Sequence, residues 1–333
     1  MSAGIPELAD LLEPIQGDLE RMRDMIAVQL EDRSPAVGDL TAHVGRFRGK
    51  QLRGALVLLI GRASGNLSHE HAAVAAVVEM IHLATLVHDD ILDAAVVRRR
   101  VASVNQRWDN QIAVLLGDFV YARAFSLSTD LSSRLASRVL ADTTRRLCVG
   151  EIEQSTRRYD FEMRQEQLEG IAGAKTASLY AAACELGASY RMGQDEPADV
   201  ELGRAMREFG WELGLAFQLI DDCLDITGDE AEVGKTVGTD VEDGKVTLPV
   251  LHTFARADAA TRARIRDIFM APGLSGRARL LREECDLSPG IEYTHARAAE
   301  LVASARGRLA KLPPSALRSG LFELGGFVLG RKW

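Results

Sequence analysis

The chain is poor in proline, cysteine and long apolar runs, and each scarcity excludes a class of protein. There are nine prolines in 333 residues, and none lies between Pro35 and Pro197, so long helices can form without a breaker. The four cysteines include no CxxC pair, which argues against a disulfide framework and a zinc site. No apolar run reaches the roughly eighteen residues that a membrane helix needs.

Basic residues are outnumbered by acidic ones, 40 to 48. The net charge of −8 argues against a nucleic-acid partner. The N-terminus carries Glu7 and Asp10 in place of a basic region, so no signal peptide is expected and we predict a soluble, cytoplasmic protein. Of the forty basic residues only six are lysine, which indicates that lysine is kept where a compact ammonium group is needed. These lysines are Lys50, Lys175, Lys235, Lys245, Lys311 and Lys332.

The hydrophobic pattern is helical throughout. Apolar residues recur at helical spacing, for example at Val74, Val77, Val78 and Ile81. Sustained period-two alternation is absent, so no sheet is expected. No linker or composition change divides the chain. The sequence therefore predicts an all-α protein in which residues 1–333 form a single domain.

Two acidic pentapeptides are the most informative motifs. Residues 89–93 read DDILD and residues 221–225 read DDCLD, so each places carboxylates at i, i+1 and i+4 of a helix-compatible stretch. Like charges this close require a cation, and oxygen ligands of this kind suit Mg²⁺. The alternative is a solvated face, or a salt-bridged cluster with Arg98, Arg99 and Arg100 as partners of the first pentapeptide. The recurrence of the motif favours the metal.

Several further motifs occur in a fixed order, and with them the chain resembles the trans-polyprenyl diphosphate synthases of the isoprenoid synthase family. The resemblance extends from about Gly45 to Pro249. It implies one large bundle of long helices around a deep central cavity. The matching motifs are GKxxR at 49–53, His82, the two DDxxD motifs, Arg98-Arg99, Lys175-Thr176, Phe217-Gln218, and the loop with Lys235 and Lys245.

The resemblance also implies a reaction and a site. Isopentenyl diphosphate would be condensed head to tail (1′–4) with an allylic diphosphate, using Mg²⁺, expected at three ions per site and held by Asp89, Asp93 and Asp221. The expected partners are these two substrates and a second copy in a homodimer, and the product would partition to the membrane. The implied catalytic set also contains Asp90, Asp222, Asp225 and Lys175. Isopentenyl diphosphate would be bound by Lys50, Arg53, His82 and Arg99, and the allylic diphosphate by Arg98, Lys175, Thr176, Gln218, Lys235 and Lys245.

Product length depends on the helix before the first acidic motif. In the family, bulky residues one turn before that motif stop growth, and here Ala84 and Thr85 are small. No aromatic residue lies between 48 and 107, and a helical turn of about 5.4 Å is close to one isoprene unit. We therefore predict about six to nine units. The residues expected to set the length are Ile81, Ala84, Thr85 and Phe119, with Tyr121 and Phe125 as other candidates for the floor.

Two departures and several alternatives remain. Family members usually read Arg-Arg-Gly followed by Pro-Thr, whereas this chain has Arg100 and Ala102 at the glycine and proline positions. Some family members use a basic C-terminus to cover the homoallylic diphosphate, but here the terminal Gly330-Arg331-Lys332-Trp333 is expected to be a frayed, solvated end. Alternative functions are a short-chain farnesyl or geranylgeranyl diphosphate synthase, a class I terpene cyclase, and a non-catalytic subunit of a heteromeric synthase.

Overall fold

The computed structural model of the chain describes residues 8–47, 49–98, 101–228, 237–271 and 276–331. Helices dominate this part of the chain, which confirms the predicted all-α class. The helices are α1 (Leu8–Leu12), α2 (Gln16–Leu30), α3 (Pro35–Val44), α4 (Leu52–Ala63), α5 (Glu70–Leu92), α6 (Val104–Arg107), α7 (Asn110–Thr129), α8 (Leu135–Thr156), α9 (Gln165–Ala172), α10 (Ser178–Ser189), α11 (Val200–Thr227), α12 (Thr239–Glu242), α13 (Leu248–Arg256), α14 (Ala259–Met270), α15 (Arg277–Glu284), α16 (Ser288–Arg308) and α17 (Ala316–Leu329). A π-helical turn (Gly173–Ala177) joins α9 to α10, and 3₁₀ turns occur at Glu13–Ile15 and Leu309–Lys311.

Short polar side chains fix where several helices begin. The carboxylates of Asp109, Asp199 and Asp258 accept the backbone N–H three residues later, at 2.7–2.9 Å, at the starts of α7, α11 and α14. The hydroxyl of Ser315 does the same for α17. These caps satisfy N–H groups that have no partner inside the helix. Prolines fall in the first turn of α3, α13 and α16, where the missing N–H costs nothing.

The interior is built on α4, α5, α10 and α11. Ten of the twelve residues of α4 and eleven of the twelve of α10 are buried. Helix α10 packs closely on α11 because the latter has glycine at two facing positions. A Cβ at Gly210 would lie 2.5 Å from the Tyr180 carbonyl oxygen, and one at Gly214 would lie 2.8 Å from the Ala177 Cα. This close approach brings the N-terminal end of α10 beside the later turns of α11.

A small hairpin interrupts the helices after α5. Strand β1 (Val97–Arg98) pairs antiparallel with β2 (Val101–Ala102). The expectation that the chain has no sheet is wrong at this place. Each strand is only two residues long, too short for an alternating pattern to show in the sequence. At the other end of the chain, α17 packs against α4, α11 and α16, which carries the C-terminus back to the interior helices.

Candidate active site

A cavity of about 1300 Å³ lies between the C-terminal turns of α5 and α11. Acidic clusters at helix C-terminal ends are unfavourable, because the helix dipole is negative there. The two clusters therefore need cations, and the cavity supplies them from several elements. Of the predicted site residues, the cavity is lined by Lys50, Arg53, His82, Thr85, Asp89, Asp93, Arg98, Lys175, Thr176, Gln218, Asp221, Asp222, Asp225 and Lys245.

In the first cluster, Asp89 in the last turn of α5 and Asp93, the residue after this helix, both line the cavity. Burial raises the pKa of Asp89 to about 6, and Lys175 offsets part of this increase. Burial would also raise the pKa of Asp93, but Lys245 and Lys175 outweigh it, so this pKa lies below its usual range. The Nζ of Lys245 is 2.8 Å from Asp93, 3.1 Å from Asp243 and 3.7 Å from Asp240. With its side chain only 7% exposed, this lysine acts as a counter-ion between the first cluster and the carboxylates of Asp240 and Asp243.

Lys175 is held by two residues that sequence reasoning missed. Its Nζ is 2.6 Å from Glu151 Oε2 and donates to Gln154 Oε1 at 2.9 Å. Burial opposes the charge of Lys175, but Asp89 and Glu151 raise its pKa, so it stays protonated. The signal was present in the sequence, because polar residues three apart on a helix share a face. The π turn that carries Lys175 directs it at this pair.

Asp90 is turned away from the cavity. It is fully buried and accepts a hydrogen bond from Arg98 Nε at 2.7 Å. Its backbone carbonyl accepts from the Asn105 amide at 3.2 Å. The salt-bridge alternative for the first cluster therefore describes Asp90, whereas Asp89 and Asp93 remain at the cavity. Arg98 itself lines the cavity while Asp90 holds it from behind.

The second cluster is connected to the π-helical turn before α10 by a chain of hydrogen bonds. The Thr176 hydroxyl donates to Gln218 Oε1 at 2.7 Å, and Gln218 Nε2 donates to Asp222 at 2.8 Å. Burial and the nearby Asp240 raise the pKa of Asp222 well above its usual range. Asp225 has a different task. Its carboxylate accepts the N–H groups of Gly238 and Asp240 at 3.1 and 3.0 Å, which fixes the start of α12.

Asp221 forms an ion pair with Arg331, close to the C-terminal end of the chain. Arg331 Nη2 lies 3.2 Å from Asp221 Oδ1, and its guanidinium stacks on the Phe217 ring at 3.7 Å. The side chain of Arg331 is only 7% exposed. The expectation of a frayed, solvated end is therefore wrong at Arg331. The cause is α17, whose packing against α11 could not be read from local sequence.

A second cationic region lies at the start of α4. Lys50 Nζ lies 5.0 Å from the centre of the Phe327 ring, and Arg53 lies 4.4 Å from that of Tyr180. The buried Nε of Arg53 has no hydrogen-bond partner among the described residues. Glu79, from the middle of α5, accepts the Gly54 N–H at 2.8 Å and so anchors the first turn of α4. Such an arrangement of cations fits a diphosphate.

The residues predicted to set product length are not all at the cavity. Thr85 lines it, whereas Ile81 and Ala84 are fully buried and do not. Phe119 does not line it either, and Tyr121 of the same helix does. Burial raises the pKa of Tyr121, so its hydroxyl stays protonated.

Four basic residues named from the sequence, Arg99, Arg100, Lys235 and Lys332, lie outside the described residues.

The carboxylates present suit a hard cation such as Mg²⁺, which takes one or two protein carboxylates and completes its shell with water and phosphate oxygens. Within the described ranges, no three acidic, histidine or cysteine side chains converge into a ready-made metal cage. Lys245 and Arg331 bind carboxylates of the two clusters instead. A metal would therefore replace cations of the chain itself, which are then available to a diphosphate.

Comparison with known proteins identifies relatives along the whole chain. The profile of the polyprenyl synthetase family matches residues 35–278. An all-trans-nonaprenyl-diphosphate synthase (geranyl-diphosphate specific) of Rhodobacter capsulatus is 33% identical over 97% of each chain. An octaprenyl diphosphate synthase of Haemophilus influenzae is 31% identical over 99% of this chain and 98% of its own. The crystal structure of a polyprenyl synthase from Caulobacter crescentus, complexed with calcium and isoprenyl diphosphate, has a TM-score of 0.92 at 32% identity and covers 99% of this chain and 100% of its own.

Proposed function

Because the chain belongs to the polyprenyl synthetase family, we propose that it condenses isopentenyl diphosphate head to tail with an allylic diphosphate. The chain is a prenyltransferase of the trans-polyprenyl diphosphate synthase type. One observation carries the proposal: two acidic clusters far apart in sequence line a single cavity together with the cations that a pair of diphosphates requires.

The allylic diphosphate is placed between the two acidic clusters. Asp89, Asp93 and Asp221 would hold Mg²⁺, for which we propose three ions per site. When bound, these ions neutralise the diphosphate and make it a better leaving group. Lys175 and Lys245, released from their carboxylate partners, donate to the departing diphosphate, and Arg98 adds a guanidinium on the side of the hairpin.

Isopentenyl diphosphate is placed at the start of α4, where Lys50, Arg53 and His82 line the cavity. The C–O bond of the allylic substrate breaks to give an allylic cation, and the double bond of isopentenyl diphosphate attacks it. A proton then leaves the new tertiary cation. We assign its acceptance to the departing diphosphate, because no described side chain of the cavity is an obvious base for this step. Apolar side chains around the cation exclude water.

The product is proposed to contain about six to nine isoprene units, on the estimate of one unit per helical turn. The support is the small Thr85 one turn before Asp89 and the absence of aromatic residues on α5. The relatives named for eight- and nine-unit products agree with this range. In the structure, residues 72–78 are buried against neighbouring helices. A long product can therefore extend along this part of α5 only if these side chains move aside.

The protein is proposed to act in the cytoplasm as a homodimer. Two described helices are long and apolar enough to span a membrane, but α5 is mostly inside the molecule. The other, α7, exposes Val114 and Leu115, and the adjacent α8 exposes Val149 and Ile152. An exposed apolar face of this kind fits a second copy of the chain.

A product assay tests the reaction. Purified protein is incubated with labelled isopentenyl diphosphate and, separately, geranyl, farnesyl or geranylgeranyl diphosphate, with Mg²⁺ or with EDTA. We expect labelled polyprenyl diphosphates of about thirty to forty-five carbons, and none with EDTA. Products that stop at fifteen or twenty carbons would refute the chain length, and hydrocarbon products would indicate a cyclase.

Variants test the metal site in the same assay. Asp89→Ala is expected to lower kcat by about 10²–10³-fold, the usual cost of losing transition-state electrostatics. The control is Asp142→Ala, which removes a carboxylate from a surface ion pair with Arg145 and Arg146. Full activity of Asp89→Ala contradicts the mechanism. No activity of the wild-type protein alone supports the alternative of a subunit that needs a partner.

A further inference from the structure

His43, in the last turn of α3, is almost fully buried below the β1–β2 hairpin. Its Nε2 lies 2.7 Å from the Ala102 carbonyl oxygen in β2. Its Nδ1 lies 2.9 Å from Arg107 Nη1. The ring also meets Phe47 and Trp108 edge-on, with centroids 5.5 and 5.1 Å apart. A buried imidazole with partners on both nitrogens holds these groups in place.

The hairpin has little stability of its own. It contains two cross-strand pairs, Val97 with Ala102 and Arg98 with Val101, and a two-stranded hairpin of this size is not stable in water. Residues 94–104 contain no glycine, proline or asparagine, the residues that favour tight turns. Side chains must therefore hold it. Ser103 Oγ donates to the Ala95 carbonyl at its base, and His43 binds the second strand.

The hairpin matters because it carries Arg98. Residues 94–98 line the cavity, and Arg98 is oriented from behind by Asp90. We propose that His43 is a positioning residue for the prenyl transfer: by fixing the Ala102 carbonyl it holds the hairpin so that Arg98 faces the allylic diphosphate. This inference rests on the proposed function, in which Arg98 binds that diphosphate.

The hydrogen bonds define the form of the ring. The Ala102 carbonyl only accepts, so Nε2 carries the proton and donates, and Nδ1 accepts from the Arg107 guanidinium. Glutamine and asparagine can each reproduce one of these two hydrogen bonds. Glutamine places its N–H near the Nε2 position and can still donate to Ala102. Asparagine reaches only the Nδ1 position, so it can accept from Arg107 but loses the hairpin.

The test compares His43→Gln with His43→Asn. For His43→Asn we expect the KM for the allylic diphosphate to rise about tenfold, the equivalent of one lost hydrogen bond, with a much smaller change in kcat. His43→Gln should stay within about threefold of the wild type, well under that tenfold loss. Titration calorimetry with inorganic pyrophosphate and Mg²⁺ measures binding without turnover. We expect His43→Asn to bind pyrophosphate more weakly than both the wild type and His43→Gln. Equal kinetics and pyrophosphate affinity for the two variants would overturn the inference.

A double-mutant cycle asks whether His43 acts through Arg98. In an Arg98→Ala background, His43→Asn should cost little more, because the group it positions is gone. Full additivity of the two losses would contradict the proposal.

Ala102→Pro gives an independent rescue. The Ala102 N–H points away from β1, since the neighbouring pair Ser103–Val96 is the hydrogen-bonded one. A proline at this position therefore stiffens β2 without removing a hydrogen bond between the strands. In the His43→Asn background it should bring the KM for the allylic diphosphate most of the way back to the wild-type value.

Thr41→Ala is the matched control. Thr41 is a buried polar residue of the same helix, and its hydroxyl donates to the Gly38 carbonyl inside α3. We expect a loss of thermal stability similar to that of His43→Asn, with an unchanged KM. A KM that rises equally in Thr41→Ala would reduce His43 to a general stabiliser of α3. Inactivity of the wild-type protein would refute the proposed function instead, and the pyrophosphate titration would still test His43.

Discussion

Among single residues, Asp89 carries the clearest conflict between stability and function. Burial raises its pKa to about 6, against about 3.9 for an unfolded aspartate. Between these values the folded state binds more protons than the unfolded state, so the free energy of unfolding falls as the pH rises through this window. Above about pH 6 the metal-free protein retains the full penalty of a charged Asp89.

Asp89→Asn should therefore stabilise the metal-free protein while it destroys activity. We expect a gain of about 1–3 kcal/mol at pH 8 and a smaller gain at pH 5. Urea denaturation in EDTA at both pH values measures it. With Mg²⁺ present the wild type should regain stability that the variant does not. A variant that is less stable than the wild type at pH 8 in EDTA would contradict the assignment.

Arg331 serves as a counter-ion for Asp221 before any metal is bound. Arg331→Ala should lower the free energy of unfolding by about 1–2 kcal/mol in EDTA, because it removes a hydrogen bond to a charged group and a cation–π contact. The loss should shrink in Mg²⁺, which takes over the charge of Asp221. Thermal denaturation with and without Mg²⁺ measures both effects.

Arg306 provides the control for that measurement. It stacks on Phe322 at 4.1 Å and donates to the backbone carbonyl of Phe322, and it does not line the cavity. Arg306→Ala should cost the same amount in EDTA and in Mg²⁺. A loss in Arg331→Ala that is equally independent of Mg²⁺ would show that Arg331 does not exchange with the metal.

At the scale of elements, α5 and α11 both end in carboxylates, and this requires cations from other elements. Lys245 follows α12, Lys175 lies in the π turn before α10, and Arg331 follows α17. The close packing of α10 on the glycines of α11 aligns Thr176 with Gln218. The site is therefore formed by the ends of several helices. A motion of α12 or α17 would move Lys245 or Arg331 and so change how many cations lie beside the carboxylates.

Helix α7 contributes one of the aromatic side chains that line the cavity, Tyr121. Tyr121 stacks with Phe125 at 6.2 Å and lines the cavity near Asp89. Tyr121→Ala should lengthen the main product by at least one isoprene unit, since it removes a bulky wall. Chromatography of the dephosphorylated products measures this. Tyr121→Phe keeps the ring and should give the wild-type length. Unchanged products from Tyr121→Ala would exclude this residue from length control.

At the scale of the whole molecule, the exposed apolar face of α7 and α8 predicts self-association. Leu115 is 56% exposed. Leu115→Glu places a charge in the proposed contact, and light scattering after size exclusion should show a monomer in place of a dimer. The control is Val200→Glu, an equally exposed apolar position, 61%, at the start of α11. A dimer that survives Leu115→Glu would place the contact elsewhere.

Most of the charged residues that line the cavity could be named from the sequence. The acidic pentapeptides, the GKxxR motif and the retained lysines are local patterns. Helical periodicity alone puts i and i+4 carboxylates on one face. The scarcity of proline and the helical spacing gave the correct fold class for the same reason. The family assignment followed from these motifs, and the relatives confirm it.

What only the tertiary structure decided is which cation meets which carboxylate. Lys245 reaches Asp93 across 152 residues and Arg331 reaches Asp221 across 110. Such pairs depend on how helices pack, which no local period encodes. Helix packing also decides that Tyr121 lines the cavity and Phe119 does not, and that His43 contacts the hairpin. The sequence by itself determined the reactive groups, because their spacing is a property of one helix. Tertiary packing determined their partners, because it sets the distances between helices.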